Sequence, residues 1–361
     1  MDEKEGIHSL RQKIEAVDDE ILRLLNHRAQ IVQEVGEVKS EMKAEYYSPR
    51  REEQILKRLG SQSSGPFPRW AVPSVFREII SACRSLEAEL TVAFLGPPAT
   101  FSHMACIQHF GSSIRMLPEN TIQDVFEAVE REKAGYGVVP VENSTEGPVS
   151  LTLDMFIKSE VKICAEIMAK ISHDLLSLSG NAGDVQKIYS HPQALSQCRE
   201  WLRKNFPHVR LEEAGSTAKA AQLAVEDSKG AAIAGSLAAQ LYGLKVVASP
   251  IEDHLNNSTR FLVIGRQEAE WTGRDKTSVL FVISHAPGTL FRVLQVFHEK
   301  GINLTKIESR PDKGKPWEYI FFIDFEGHAT DSNVTEALDE VKRHVLFMKR
   351  LGSYPQCSQE K

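Results

Sequence analysis

Gly137-Val138-Val139-Pro140-Val141-Glu142-Asn143-Ser144-Thr145-Glu146-Gly147-Pro148-Val149 decides how this chain is read. An apolar run of strand length stops in small polar side chains, where a buried core would take apolar ones. Asn257-Ser258-Thr259-Arg260-Phe261 has the same character, polar residues set against the start of an apolar run. The two stretches lie more than a hundred residues apart. Polar side chains gathered at strand ends from distant parts of one segment mark an active-site cleft.

Outward from these stretches, residues 91–269 alternate short apolar strands with helical patterns: Val92–Leu95, Gly137–Val141, Ile188–Ser190, Ala231–Ala234 and Phe261–Ile264. This is α/β alternation. Five strands or turns run into a residue that can cap a helix: Leu95 toward Thr100 and Ser102, Val141 toward Glu142-Asn143-Ser144, Ser190 toward His191-Pro192-Gln193, Gly215 toward Ser216-Thr217, and Ala234 toward Gly235-Ser236. Helix N-termini offer unpaired N–H groups and a dipole that favours anions. Clefts in α/β sheets open at the carboxyl ends of strands. Any one of these positions taken alone reads first as an ordinary N-cap, and His191 reads equally as a cap or a site residue. Together they point to a carboxylate-bearing ligand.

The preceding 90 residues are helical. Leu10, Ile14, Val17, Ile21, Leu24, Ile31, Val35, Val38 and Met42 recur at steps of three and four, a heptad-like stripe on one long helix. Pro49 suits the first turn of a second helix. Residues 60–70 form a loop, and Pro73 opens a third helix carrying Phe76, Ile79, Cys83, Leu86 and Leu90. Arg28 sits on the apolar seam, and Lys39 lies within about 20° of the same face. A buried cation needs a partner. Arg28, Lys39, Arg51 and Glu52 could therefore hold a small carboxylate ligand. Arg11 is seventeen positions before Arg28, about 25 Å along a helix. If it serves the same ligand it comes from a second protomer. The alternative is that these cations rim a coiled coil.

After a polar linker at residues 270–276, the rest of the chain has a β-α-β-β-α pattern. Strands are expected at Thr277–Ser284, Ile302–Ser309, Trp317–Phe325 and Phe347–Leu351, with helices after Pro287-Gly288 and at Thr330–Leu346. A small α+β sheet with helices on one face follows. Read from pattern alone, it is a dimerisation module or a ligand-binding one.

Composition excludes several classes. The chain has 361 residues, 42% hydrophobic and 25% charged, with net charge −6. That balance is too mild to make nucleic acid the main partner. No apolar run reaches the length that spans a bilayer, and no secretory leader is visible at the N-terminus. Cys83, Cys106, Cys164, Cys198 and Cys357 are scattered and odd in number, so reduced thiols and a cytoplasmic location are expected. No clustered metal ligands or Gly-rich phosphate loop occur, and no metal or organic cofactor is expected.

Three resemblances cover the whole chain. Leu10-Arg11-Gln12-Lys13-Ile14, Asp18-Asp19, Arg28, Val35-Gly36, Lys39 and Arg51-Glu52 resemble the all-helical chorismate mutase family. The resemblance implies a site lined by Arg11, Arg28, Lys39, Arg51, Glu52, Cys83 and Glu87, with Arg11 donated across a dimer and Lys39 and Glu87 catalytic. Ser48 stands where many members have Asp. Val141-Glu142-Asn143-Ser144, Ser190-His191-Pro192-Gln193-Ala194, Ser216-Thr217-Ala218 and Thr259-Arg260-Phe261 resemble prephenate dehydratase. That implies two α/β lobes of periplasmic-binding-protein type, Thr259 as the catalytic donor, and Thr100, Ser102, Glu142, Asn143, Ser144, His191, Gln193, Ser216, Thr217, Arg260 and Phe261 around the substrate. Ala99 replaces a usual glycine; if that position needs a positive φ, the loop is strained. Pro287-Gly288-Thr289-Leu290, Asn303 and Glu308-Ser309-Arg310-Pro311 resemble a phenylalanine-binding ACT domain of ferredoxin-like fold. Gly288, Thr289, Leu290, Asn303, Glu308, Ser309 and Arg310 would then border the effector.

The expected protein is multidomain: helical mutase 1–90, dehydratase 91–269, ACT sensor 275–361. The first reaction is a rearrangement needing no nucleophile, only a compact conformer and a donor to the ether oxygen. Glu87 can donate only when protonated, so its role predicts a mutase rate that falls as pH rises. The second reaction loses CO₂ and hydroxide to leave an aromatic ring, with Thr259 donating to the departing oxygen. Two rivals remain: a phenylalanine-sensing regulator with an inactive cleft, and a dehydratase whose helical arm only dimerises.

Overall fold

The computed structural model describes residues 3–42, 47–254, 256–311 and 319–357. The expected strand start at Trp317 lies outside them. The chain divides into two compact units, residues 1–90 with 110–115, and residues 91–109 with 116–361.

The first unit holds three helices, α1 (Glu3–Met42), α2 (Pro49–Gln62) and α3 (Ala71–Arg84). The heptad-like stripe does form one helix of 40 residues. Every residue of that stripe is exposed in the single chain, from Val35 at 43% to Met42 at 73%. A helix face this apolar is stable when something covers it. Ser48 caps α2 by accepting from Arg51 N, and Pro49 occupies the first turn. Helix α3 begins two residues before Pro73 and stops at Arg84, so Leu86 and Leu90 lie beyond it. Gly36 sets the packing of α1. A Cβ there would lie 3.2 Å from both Cα and Cβ of Glu87, so a larger residue would push Glu87 back by a few tenths of an ångström.

The second unit contains three sheets. Its strands are β1 (Thr91–Leu95), β2 (Arg115–Glu119), β3 (Tyr136–Asn143), β4 (Gly147–Pro148), β5 (Lys162–Lys170), β6 (Asp174–Ser177), β7 (Lys187–Ser190), β8 (Arg210–Glu213), β9 (Gly230–Ala234), β10 (Lys245–Ala248), β11 (Ser258–Gly265), β12 (Asp275–Val282), β13 (Leu304–Pro311), β14 (Tyr319–Glu326) and β15 (Phe347–Pro355). Its helices are α4 (Phe101–Phe110), α5 (Ile122–Glu130), α6 (Ser150–Lys158), α7 (Pro192–Gln197), α8 (Arg199–Asn205), α9 (Thr217–Glu226), α10 (Ser236–Tyr242), α11 (Thr289–Glu299) and α12 (Ser332–Val341).

The first sheet runs β2-β1-β3-β11-β5, with β4 added to β3. Strand β11 arrives from far along the chain and pairs antiparallel with both β3 and β5. The second sheet, β10-β6-β9-β7-β8, is built wholly from residues between β5 and β11. Alanines at 218, 220, 221, 224, 232, 234 and 238 fill the core between this sheet and helices α9 and α10. Their small volume lets the helices lie close. Strand β5 escapes the sequence reading because Lys-Ile-Cys-Ala-Glu-Ile-Met-Ala-Lys is rich in helix formers; pairing with β11 and burial override that preference.

The third sheet is antiparallel with order β13-β14-β12-β15. Strand β12 begins at Asp275, inside the expected linker, because the Asp275 carboxylate accepts the backbone N–H groups of Thr272 and Gly273. Helix α12 is shorter than expected and β15 longer, extended by buried Ser353 and Tyr354. Leu280, Ile320, Phe322, Leu351 and Tyr354 of this sheet share one core with Val139, Val141, Ile163, Leu262 and Ile264 of the first and with Phe156 of α6. Gly352 permits the contact, since a Cβ there would run into the backbone oxygen of Ile163.

Candidate active sites

In the helical unit, the close approach at Gly36 carries Lys39, one turn further on, to 3.0 Å from Glu87 Oε2. Arg28 is half-buried, and its Nη1 is fully enclosed with no hydrogen-bond partner among the described residues. A buried, unpaired guanidinium nitrogen suits an anionic ligand. Cys83 is buried. Glu52 is turned inward and ion-paired to buried Arg84, whose Nη2 also donates to Phe110 O at 2.8 Å. Arg51 is exposed. Arg11 and Arg28 lie on the same unbroken helix, so the separation of about 25 Å holds and Arg11 cannot reach the Arg28 region of its own chain.

In the dehydratase segment, the register of β11 on β3 pairs Thr259 with Asn143 and Arg260 with Glu142. Successive side chains of a strand point to opposite faces. Each motif is therefore split. Asn143 Nδ2 lies 2.8 Å from Thr259 Oγ1 and 2.9 Å from Asn257 Oδ1. Thr259 is 8% exposed and Asn257 is 2% exposed. Ser144 closes the same corner, accepting from Ser258 N at 3.0 Å. Gln197, at the end of α7, reaches across from the second sheet: its Oε1 is 3.0 Å from Asn257 Nδ2 and 2.9 Å from His173 Nε2. Sequence reading missed Gln197 and His173. Neither belongs to a quoted motif, and only the tertiary fold brings them to Asn257.

The opposite face does different work. Arg260 was expected at the substrate; its side chain lies on the face away from Thr259 and bonds to protein groups. Its Nε donates to Glu166 Oε2 at 2.9 Å, Nη1 to Asp324 Oδ2 at 2.5 Å and Nη2 to Tyr354 Oη at 2.9 Å. Each of the three nitrogens donates to a protein group, two of these groups coming from the third sheet. Burial alone would weaken the Arg260 charge, but Tyr354, Asp324 and Glu166 hold its pKa above the usual value. Burial opposes ionisation of Asp324 as well, yet Arg260, Ser278 and Lys306 keep its carboxyl below the usual range. Burial pushes the Tyr354 hydroxyl up. Glu142 shares this face and is ion-paired to Lys306 of β13 at 2.7 Å. Phe261, also expected near the substrate, is 2% exposed and packs in the interior.

Three of the five predicted helix starts carry side-chain caps; Asn143-Ser144 opens no helix, because β3 turns into β4 there, and Gly235 starts α10 without a side-chain bond. Ser216 accepts from Lys219 N, and His191 Nδ1 from Gln193 N at 3.3 Å. Thr100 Oγ1 accepts from His103 N while donating to Leu95 O at 2.9 Å. Ser102 and Thr217 are buried, and Gln193 is exposed. Ala99 adopts φ +74° and its N–H donates to His103 Nδ1 at 3.0 Å. The strain expected of a non-glycine residue here is present, at a cost of about 1–2 kcal/mol.

In the third sheet, a cavity of about 330 Å³ is lined by Ser284, Gly288, Thr289, Leu290, Phe291 and Phe321, among others. Gly288 enters α11 with φ +79°, and Thr289 Oγ1 donates to Ala286 O at 2.5 Å. Of the other expected effector residues, Ser309 pairs with Phe321 across the ladder. Asn303 is exposed, and its carbonyl accepts from Glu326 N. Glu308 is half-buried on β13. Arg310 contacts Asp154 of α6 at 3.2 Å.

Comparison with known proteins agrees with this division. The chorismate mutase type II family matches residues 10–88, the prephenate dehydratase family residues 92–269 and the ACT domain family residues 277–343. A bifunctional chorismate mutase/prephenate dehydratase from Aquifex aeolicus is 49% identical over 98% of this chain and 99% of its own length. A prephenate dehydratase from Methanocaldococcus jannaschii is 38% identical over 73% of this chain and 97% of its own. A crystal structure of prephenate dehydratase from Arthrobacter aurescens in complex with L-Phe superposes with a TM-score of 0.69 at 36% identity, covering 74% of this chain and 90% of that one. The chain belongs to the bifunctional chorismate mutase/prephenate dehydratase family, isomerase and lyase in one polypeptide. Among the described residues no helix is long and apolar enough to cross a membrane.

Proposed function

We propose that the helical unit rearranges chorismate to prephenate and that the Asn143–Thr259 cluster converts prephenate to phenylpyruvate. The observation that carries the second assignment is the pairing of Thr259 with Asn143, a hydroxyl held by an amide at the junction of two sheets. In the reaction the ring carboxylate leaves as CO₂, its bonding electrons enter the ring, and hydroxide departs from the opposite carbon. Aromatisation drives the step. A weak acid such as threonine serves by hydrogen-bonding the departing oxygen. Ser144, Gln193, Ser216 and Thr217, with Thr100 and Ser102, are read as the surrounding substrate contacts.

In the mutase, Lys39 and Glu87 are the catalytic pair at the breaking ether bond, and Arg28 with Arg51 binds carboxylates. Arg11 completes the site from a second copy of the chain, and the exposed stripe of α1 is the surface that the second copy covers. The domains are read as 1–90, 91–269 and 275–361. The two dehydratase sheets are read as lobes of periplasmic-binding-protein type and the third sheet as a ferredoxin-like ACT domain. Phenylalanine is the expected inhibitor, with Gly288, Thr289 and Leu290 on its side of the cavity and Asn303, Glu308, Ser309 and Arg310 bordering it; inhibition requires tighter binding to a less active state. A cytoplasmic location suits such a biosynthetic enzyme.

Purified protein should consume chorismate and, separately, prephenate. Lys39→Ala should depress the first reaction about a hundredfold or more, and millimolar phenylalanine should slow the second. Absence of turnover on either substrate removes the corresponding assignment, and a dehydratase rate unmoved by phenylalanine removes the feedback.

A further inference from the structure

The Asn143 amide is entirely consumed inside the protein, and its direction can be settled from backbone groups alone. The N–H groups of Thr145 and Glu146 point at Asn143 Oδ1 from 3.0 and 3.1 Å. A backbone N–H can only donate, so the atom it meets is the carbonyl oxygen. Nδ2 must then face the other way. It meets Thr259 Oγ1 at 2.8 Å, Asn257 Oδ1 at 2.9 Å and, more distantly, Ser258 O at 3.3 Å. Two amide hydrogens are matched by at least two acceptors, and Thr145 Oγ1 adds a third donor to the oxygen at 2.6 Å. No hydrogen-bonding capacity is left over for a substrate.

The same direction propagates outward. Asn257 accepts with Oδ1, so its Nδ2 donates to Gln197, which answers with Oε1. Gln197 Nε2 turns to Thr145 Oγ1 at 3.3 Å, whose hydrogen is already given to Asn143. Gln197 Oε1 also faces His173 Nε2 at 2.9 Å, so that nitrogen carries the proton. His173 is 2% exposed, and its Nδ1 is enclosed without a partner among the described residues. Burial lowers its pKa, against the pull of Gln197, Glu252 and Asp174. A second proton on Nδ1 would be a buried, unpaired donor, and the ring stays neutral.

From this geometry we infer that Asn143 is a positioning residue, not a substrate ligand: it makes Thr259 Oγ1 an acceptor on the protein side and so reserves the threonine hydrogen for the leaving hydroxyl, with Asn257, Gln197 and His173 bracing the orientation. The inference rests on Thr259 being the donor. A reversed Asn143 would present its carbonyl, capture the threonine hydrogen and leave the departing oxygen unassisted.

Steady-state dehydration of prephenate by the full chain tests this, with circular dichroism as the check on folding. Asn143→Asp, which can only accept when ionised, and Asn143→Leu, which can do neither, should each lower kcat on the order of ten- to a hundredfold while KM stays within about twofold, as for a lost transition-state contact. His173→Leu should lower kcat less, and His173→Gln, which restores an N–H donor toward Gln197, should recover most of that loss. Thr259→Ala separates the two levels. If it keeps dehydrating, the underlying reading fails. If it is inactive but the Asn143 variants raise KM at unchanged kcat, Asn143 is a ligand and only the present inference is overturned. Should the Asn143 variants not fold, the His173 pair decides: a wild-type kcat in His173→Leu, or equal losses in both, overturns the bracing chain and the inference with it.

Discussion

Thr259 and Arg260 are neighbours on one strand and point to opposite faces of it. Thr259 looks into a neutral cluster of amides and hydroxyls drawn from both dehydratase sheets. Arg260 looks into a buried ion network shared with the ACT sheet, where Glu166 is also bound by Lys276 at 2.9 Å and by Cys357 N at 2.8 Å. Asn143 and Glu142 repeat the division on the partner strand. One face is built from groups that cost little to expose to a polar substrate. The other is built from charges that must be paired because they are buried. The contrast teaches that a pair of motif residues can be adjacent for two unrelated reasons, the proposed chemistry on one face and the joining of the ACT sheet on the other.

The sharpest way to break this contrast is to mutate each neighbour and measure both rate and stability. Thr259→Ala should cut dehydration by about a thousandfold or more, within the range of acid catalysis, yet shift denaturant unfolding of the dehydratase–ACT unit by only about 1 kcal/mol, the worth of one hydrogen bond. Arg260→Met should do the reverse in emphasis. It leaves Asp324 without its main counter-charge, and the unfolding free energy should fall by about 3–5 kcal/mol. A stable Arg260→Met enzyme that has lost affinity for prephenate would instead return Arg260 to the substrate.

Smaller effects sharpen the picture. The Asp324 carboxyl is held below its usual value of 3.8, so its contribution to stability is complete above that pH. It is lost as pH falls through the lower folded value. Acid titration of stability should therefore be steeper below pH 4 in the wild type than in Asp324→Asn, and equal slopes would remove Asp324 from the network. At the first loop, Ala99→Gly should relieve a left-handed alanine. The gain is offset by the extra freedom of glycine in the unfolded chain, leaving a net stabilisation of about 1 kcal/mol or less; a clear loss of stability would mean that the Ala99 methyl packs better than its backbone suffers.

Much of this molecule was readable before folding. Whereas the positive φ at Ala99 was expected only through the glycine that the resemblance puts there, the stripe on α1 and the strands ending at Leu95 and Ser190 follow from local rules of period and propensity. So does the polar corner at Asn143 and Thr259. The direction of Arg260 does not. Alternation guarantees that residues 259 and 260 face apart, but which one faces the amide cluster depends on register, and two partners of Arg260 lie 64 and 94 positions further along. Gln197 and His173 were hidden for the same reason. The length of β15 was hidden too, since its last residues are strand only because β12 lies beside them.

The account is tested most directly by supplying chorismate alone to Thr259→Ala and following both products. Prephenate should accumulate at the rate of the intact mutase while phenylpyruvate stays at background. Phenylpyruvate formed at the wild-type rate would contradict the assignment of the second reaction to this face of the strand.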